Sequence, residues 1–232
     1  MEPDALSIVL PVFNEAAVIE QVISGIAAYA ASRHIQIEII AVNDGSTDTT
    51  SMVLGQISRS LSNVRVVLHA KNGGYGAALR SGIKAAQYPW VLLMDSDGQM
   101  HIDSLQAAWP HRNDNDLLLG YRRQRADSFY RRVLGKSGNT VSNLFLGRQV
   151  RDINCGFKLF KKDLIQSLTL SSSGGIINFE ILYQLFRKNS LLRLYQFPVE
   201  HFPRQLGKST GGNPKVIGKI MIEGFKVLFG VK

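Results

Sequence analysis

The first hundred residues alternate between short apolar runs and amphipathic stretches, a rhythm that restricts the fold more than any other feature of the chain. Leu6–Phe13, Ile35–Val42, Val64–His69 and Trp90–Met94 are apolar runs of strand length. Between them, Glu15–Ser32, Thr49–Ser60 and Gly73–Gln87 read as helices, the first through the spacing of Val18, Val22, Ile23 and Ile26. Strands that recur after helical crossovers pair in parallel, so the pattern predicts an α/β fold, a mostly parallel sheet flanked by helices. In such sheets ligands bind beyond the carboxyl ends of the strands. Asn14-Glu15, Asn43–Asp48 and Asp95–Gln99 each follow a strand, and are expected to gather at one rim. The second half is less regular. Asp116–Tyr121, Gly156–Phe160 and Leu191–Phe202 read as strands, and Ser128–Leu146 and Ile176–Lys188 as helices. No linker or internal repeat divides the chain; residues 1–212 are expected to form one unit, followed by a helix over 213–232.

The fourth apolar run ends in Asp95-Ser96-Asp97-Gly98-Gln99. In an extended strand residues i and i+2 share a face, which predicts that Asp95, Asp97 and Gln99 converge. Two carboxylates forced together repel, and a hard divalent cation such as Mg²⁺ or Mn²⁺ removes the conflict. The alternative is a polar turn in which Gly98 supplies the bend.

A net charge of +9 implies acidic partners: phosphates, nucleic acid or an anionic membrane face. The excess is uneven. From Arg122 to Arg151 there are eight Arg or Lys and one acid, Asp127. Cys155 is the only cysteine, which excludes an internal disulfide and a zinc site built on several thiolates, and suits a reducing cytoplasm. The acidic start, Met1–Asp4, does not resemble a signal peptide, and no stretch has the apolar length of a transmembrane helix.

Five short motifs run in order through the chain: Pro11-Val-Phe13-Asn14-Glu15, Asn43-Asp44-Gly-Ser-Thr-Asp48, Asn72-Gly73-Gly-Tyr-Gly76, Asp95-Ser-Asp97-Gly-Gln99 and Asp152-Ile-Asn-Cys-Gly156-Phe157. Together they resemble the family 2 inverting glycosyltransferases, and within them the dolichyl- and polyprenyl-phosphate sugar synthases of the dolichol-phosphate mannosyltransferase type. The resemblance implies the GT-A fold, a Rossmann-like sheet that binds nucleotide sugars. It also implies that Pro11, Phe13, Glu15 and Asp44 line the base and ribose pocket, where a ring packs on the base and carboxylates accept from N–H and hydroxyl groups. Asn43–Asp48 is equally a turn followed by a helix cap, with Asp48 capping and Asp44 binding. Gly73 and Gly76 either let the backbone approach the nucleotide or make a tight turn. Lys71 and Arg80 either meet phosphate or remain solvated.

By the same resemblance Asp97 is the first metal ligand, assisted by Gln99, and Asp95 holds the ribose or the ion's water. The ion would stabilise the departing nucleoside diphosphate. Relatives that activate a sugar hydroxyl carry an acidic pair near Asn154-Cys155. A phosphate monoester is already ionised near neutral pH, with a second pKa of about 6, and needs positive charge instead of a base. Arg122 and Arg131 are carried over as acceptor-phosphate contacts, with Arg132 or Lys136 as substitutes if the register differs. Arg204 and Lys208 belong to a late loop expected to close over the donor diphosphate. Glu180 matches a family acid with a structural role. In the C-terminal stretch Lys215, Lys219, Glu223 and Lys226 share a helical face, giving either a lipid-interfacial helix or one packed on the core.

The resulting expectation is a metal-dependent enzyme, peripheral at the cytoplasmic membrane face. It would move a hexose from a nucleotide diphosphate sugar to a polyprenyl phosphate, anchored by the membrane surface or by a partner subunit. The rivals are transfer to a saccharide hydroxyl, nucleotidyl transfer on a similar sheet, and a basic nucleic-acid-binding module. The last is disfavoured because no nucleic-acid motif is present.

Overall fold

The computed structural model describes residues 4–123, 129–203 and 223–228, with backbone only for 129–137. The first half follows the expected alternation: β1 (Ala5–Val12), α1 (Ile19–Arg33), β2 (Gln36–Asn43), α2 (Thr50–Ser60), β3 (Val64–Leu68), α3 (Tyr75–Ala85) and β4 (Trp90–Met94). Two 3₁₀ turns that the sequence did not announce, Ile102–Ala107 and Trp109–Asp114, lead to β5 (Leu117–Arg122). Then come α4 (Phe129–Leu146), β6 (Phe157–Lys161), the short α5 (Lys162–Gln166), α6 (Ile177–Lys188) and β7 (Leu194–Val199). The last strand is shorter than expected, because the chain leaves the sheet once β7 has paired along β5 as far as Arg122↔Val199.

The seven strands lie in the order β3-β2-β1-β4-β6-β5-β7. All run parallel except β6, which is antiparallel to both its neighbours. That reversal matters for the site. Because β6 runs backwards, its first residue pairs with the last of β4 (Met94↔Phe157), so the loop before β6 arrives beside Asp95.

Strict alternation splits the core in two. Leu6, Ile8, Leu10, Ile39, Leu92, Phe157 and Phe197 pack under α1 and the 3₁₀ turns. Val9, Ile40, Leu93, Leu119 and Phe160 pack with Leu79, Leu146, Ile181 and Leu185 on the opposite face. A polar cluster closes the amino-terminal edge: buried Glu38 accepts from Ser7 Oγ at 2.6 Å and from Gln87 N–H at 2.7 Å, and pairs with Arg65 at 3.0 Å. Among the described residues no helix is long and apolar enough to cross a membrane. Toward the C-terminus the helical segment 223–228 packs Val227 and Leu228 on the second cluster. Glu223 accepts from Ser173 Oγ at 2.7 Å, and Lys226, three residues on in the same helical segment, is exposed. The rest of 213–232 lies outside the described residues.

Candidate functional site

The ends of β1 and β2 are knitted into one wall. Asn14, at a left-handed φ of 56°, accepts from Thr47 N–H at 2.8 Å, and its own N–H donates to Ser46 Oγ at 3.0 Å. Ser46 N–H donates to Asn43 Oδ1 at 2.9 Å, and Glu15 N–H to Thr50 Oγ1 at 3.0 Å. Asp48 Oδ1 accepts from Thr50 N–H, the first residue of α2, at 2.9 Å. Burial opposes ionisation of Asp48, but its hydrogen bonds with Thr50 outweigh that and hold its carboxyl below the usual range. Beside this wall Phe13 is exposed and Glu15 half-buried.

Two residues expected to line the nucleoside pocket face inward. Pro11 is buried, and its carbonyl accepts from Ser96 Oγ at 2.6 Å. Asp44 is only 2% exposed. Its carboxylate accepts from Gly73 N–H at 2.9 Å and Gly74 N–H at 2.8 Å, and His69 Nδ1 lies 2.6 Å away. The first turn after β2 thus folds under the glycine loop, and Asp44 holds that loop from below. The glycines serve a different approach from the one anticipated. Gly76 N–H donates to Ser173 O at 2.8 Å, and a Cβ on Gly74 or Gly76 would collide with the carbonyls of Ser173 and Ser172. Arg80 also donates to Ser172 O. Glu180 fixes this segment from the other side, accepting from Ser171 and Ser172 N–H at 2.9 Å each, as a structural acid.

A turn, and not an extended strand, places the carboxylates after β4. The strand stops at Met94, and residues 96–100 bend, with Gly98 at φ 74°. The outcome is nearer the polar turn. Asp95 turns toward α3, where Tyr75 Oη donates to its Oδ1 at 2.8 Å. Asp97 accepts from Gln99 N–H at 3.1 Å and borders a cavity of about 210 Å³, shared with Val18, Val22, Met100 and His101. Gln99 points elsewhere: its side-chain amide donates to Phe202 O at 3.0 Å, while Phe202 N–H donates to Gln99 O at 2.9 Å. His101 stacks on the Phe202 ring with centroids 4.5 Å apart. The acidic loop is therefore tied to the residues immediately before the late loop; Arg204 and Lys208 lie outside the described residues.

Asp95 sits in a dense polar nest. Burial, then the nearby charge of Asp97, raises its pKa, while Tyr75, Lys158 and Arg122 pull it down. Burial also pushes the Tyr75 hydroxyl well above its ordinary value. Lys158, 1% exposed, donates to Cys155 O and to Asn178 Oδ1 at 2.7 Å, and burial lowers its pKa. Gly156 lies so close to Asp95 that a Cβ there would overlap its carboxylate. Cys155 is fully buried with its thiol pushed up to about 11, chiefly by burial, so it is an inert core residue. Tyr75, Lys158 and Asn178 were missed by sequence reasoning, although a lysine inside the apolar run Phe157–Phe160 was a readable signal. Arg122 is already engaged: Nε and Nη2 fork onto Asp152 at 2.7 and 2.9 Å. Arg131 falls within α4, and its side chain lies outside the described residues, as do those of Arg132 and Lys136.

A family model for "Glycosyl transferase family 2" matches residues 7–169, the span that carries the five motifs. The chain belongs to that family. It is 30% identical over 169 residues to the dodecaprenyl-phosphate galacturonate synthase of Rhizobium johnstonii, covering 71% of this chain and 50% of that protein. It is 30% identical over 200 residues to a dolichyl-phosphate beta-glucosyltransferase of Drosophila melanogaster, covering 77% of this chain and 61% of that one. The chain thus spans between half and two-thirds of the length of these curated relatives. Glucosyl-3-phosphoglycerate synthase of Mycobacterium tuberculosis, solved with Mn²⁺, UDP and phosphoglyceric acid, superposes with a TM-score of 0.73 at 21% identity. The match covers 97% of this chain and 78% of that one. This likeness establishes the GT-A fold. That neighbour has been solved with Mn²⁺ and with Mg²⁺, each together with UDP. The residues here suit such an ion: two half-buried carboxylates lie close enough for the charge of one to raise the pKa of the other. Among the described residues no set of three or more His, Cys, Asp or Glu could hold a metal.

Proposed function

We propose that the chain transfers one hexose, with inversion, from a nucleotide diphosphate sugar of the GDP-mannose or UDP-glucose type to a polyprenyl phosphate. Asp97, with Asp95 behind it, would hold Mg²⁺ or Mn²⁺, whose remaining ligands would be donor phosphate oxygens and water. The ion, when bound, supplies positive charge for the departing diphosphate. Phe13 and Glu15 would meet the nucleoside. Asp44, Gly73 and Gly76 support that pocket by shaping its floor. Gln99 would act mainly by holding Phe202, and with it the start of the loop that carries Arg204 and Lys208, against the acidic turn.

The observation that carries the choice of acceptor is the loop pressed against Asp95. It presents Asn154 and Cys155, the thiol stays protonated, and Asp152 is forked onto Arg122. A hydroxyl nucleophile needs a base, whereas a phosphate monoester needs only cations. Arg122, oriented by Asp152, and Arg131 in the acid-free α4 supply them. The polyprenyl- and dolichyl-phosphate enzymes among the relatives support the same reading. Such an acceptor places the work at a membrane surface and makes nucleic acid irrelevant.

The test combines GDP- and UDP-sugars and Mn²⁺ with either a polyprenyl phosphate or a saccharide. Lipid-linked sugar plus nucleoside diphosphate is the expected product. Transfer to saccharide alone, or release of pyrophosphate, overturns the proposal. Arg131→Ala should leave donor affinity unchanged and raise KM for the lipid phosphate.

A further inference from the structure

Helix α4 is built inside out over its described half. Its inward face is polar. Asn139 donates to Val150 O at 2.7 Å and accepts from Ile153 N–H at 2.8 Å. One turn later Asn143 donates to Val150 O at 3.0 Å and accepts from Val150 N–H at 3.1 Å. Leu146 alone in this half joins the core. Val141, Leu144 and Phe145 turn outward, 54%, 78% and 50% exposed. At i, i+3 and i+4 they share one face, the reverse of what a helix on a water-facing surface shows. Single exposed apolar residues need no explanation, but three adjoining ones call for a cover.

Charge decides which cover fits. No Asp or Glu occurs in the 18 residues of α4, whose first half carries Arg131, Arg132 and Lys136 in sequence. An apolar protein partner or a second copy would use the three side chains and leave this one-sided charge unanswered. An anionic bilayer answers both, because headgroups attract Lys and Arg while bulky apolar side chains enter the acyl boundary. Leu146 packs in the same core cluster as Val227 and Leu228, so the helical segment 223–228 lies on this side of the sheet too, with Phe225 59% exposed. We infer that the Val141–Leu144–Phe145 face of α4 seats the chain on an anionic lipid surface. The inference stands on the packing of α4 and not on the assignment of the reaction.

The experiment is flotation of the full chain with phosphatidylcholine vesicles, with and without phosphatidylglycerol, at low and high salt. The unaltered chain should float with phosphatidylglycerol vesicles and detach as salt rises. The V141S/L144S/F145S variant should lose binding by on the order of a hundredfold, and Leu144→Ser alone by roughly tenfold, with unchanged circular dichroism. No flotation of the unaltered chain, or equal flotation of all three proteins, overturns the inference. So does a dimer in size-exclusion chromatography that the triple variant turns into monomer. Transfer to a short, water-soluble polyprenyl phosphate reads the reaction separately. A chain that floats through α4 yet makes no lipid-linked sugar contradicts the proposed reaction and leaves the seating intact.

Discussion

The rim formed by β1, β2 and β4 and the outer face of α4 follow opposite rules. At the rim, loops that could be mobile are fixed from beneath by buried acceptors: Asp44 under the glycine loop and Glu180 under Ser171–Ser172. On α4, asparagines take the inward positions while Val141, Leu144 and Phe145 face out. The first pattern would pre-organise the proposed site for a small charged ligand. The second leaves apolar surface for something large. The two substrates proposed for this chain differ in the same way, one a soluble nucleotide and the other a lipid.

The largest effect should come from the acids at the rim. Asp97→Asn should lower turnover by about a thousandfold or more and abolish Mn²⁺-dependent uptake of nucleoside diphosphate in calorimetry. Near-normal transfer by that variant would remove Asp97 from the metal site.

Next comes the support beneath the rim. Asp44→Ala strips the acceptor from two backbone N–H groups and leaves His69 without its carboxylate, and should cost ~3 kcal/mol in urea unfolding. If its midpoint matches the unaltered chain, the rim is not held in the way described. α4 offers a direct contrast within one helix. Leu146→Ala, at 6% exposure, should cost ~2–3 kcal/mol, whereas Leu144→Ala at 78% should stay within ~0.5 kcal/mol. Equal losses at the two positions would mean that the outer face is covered within the chain.

A small electrostatic effect lies at the far edge, away from both regions. Asp116 is opposed by burial, but hydrogen bonds from Arg193 and Lys161 outweigh it and hold its carboxyl well below the usual range. A carboxyl lowered on folding stabilises above its unfolded pKa of about 3.9, and that stabilisation fades as pH falls through the lower folded value. Asp116→Asn should therefore cost ~0.5–1 kcal/mol at pH 7, discounted for the exposure of Arg193, and progressively less below about pH 4. A deficit that persists undiminished in acid would point to packing instead of charge.

Much of the framework was readable from residue order. Trp90–Met94 is a strand with the expected bounds, and the remaining strands and longer helices of the first half shift by only a few residues at their ends. Their apolar periods are local properties of the chain. The reversed β6 was not readable, because Gly156–Phe160 has the same alternation in either direction and only its neighbours fix its sense. The functional groups divide similarly. The sequence brought Asp95 and Asp97 to a strand end, but their different hydrogen-bond partners depend on where β4 stops. Asp44 and Pro11 were chosen for residue type, yet burial is set by which loop folds over which, and motif spacing carries no information about that. Lys158 shows the converse: its position was visible, while its meaning came only when β6 set it beneath Asp95.

By itself the chain determined the alternating elements, the acids at the strand ends and the concentration of positive charge from Arg122 onward, since these are properties of neighbouring residues. The fold decided which acids reach the surface, which arginine is already paired and which face of α4 looks outward. Those outcomes depend on contacts between segments far apart in sequence, where the loss of water and the supply of hydrogen-bond partners are set by the neighbour and not by the residue.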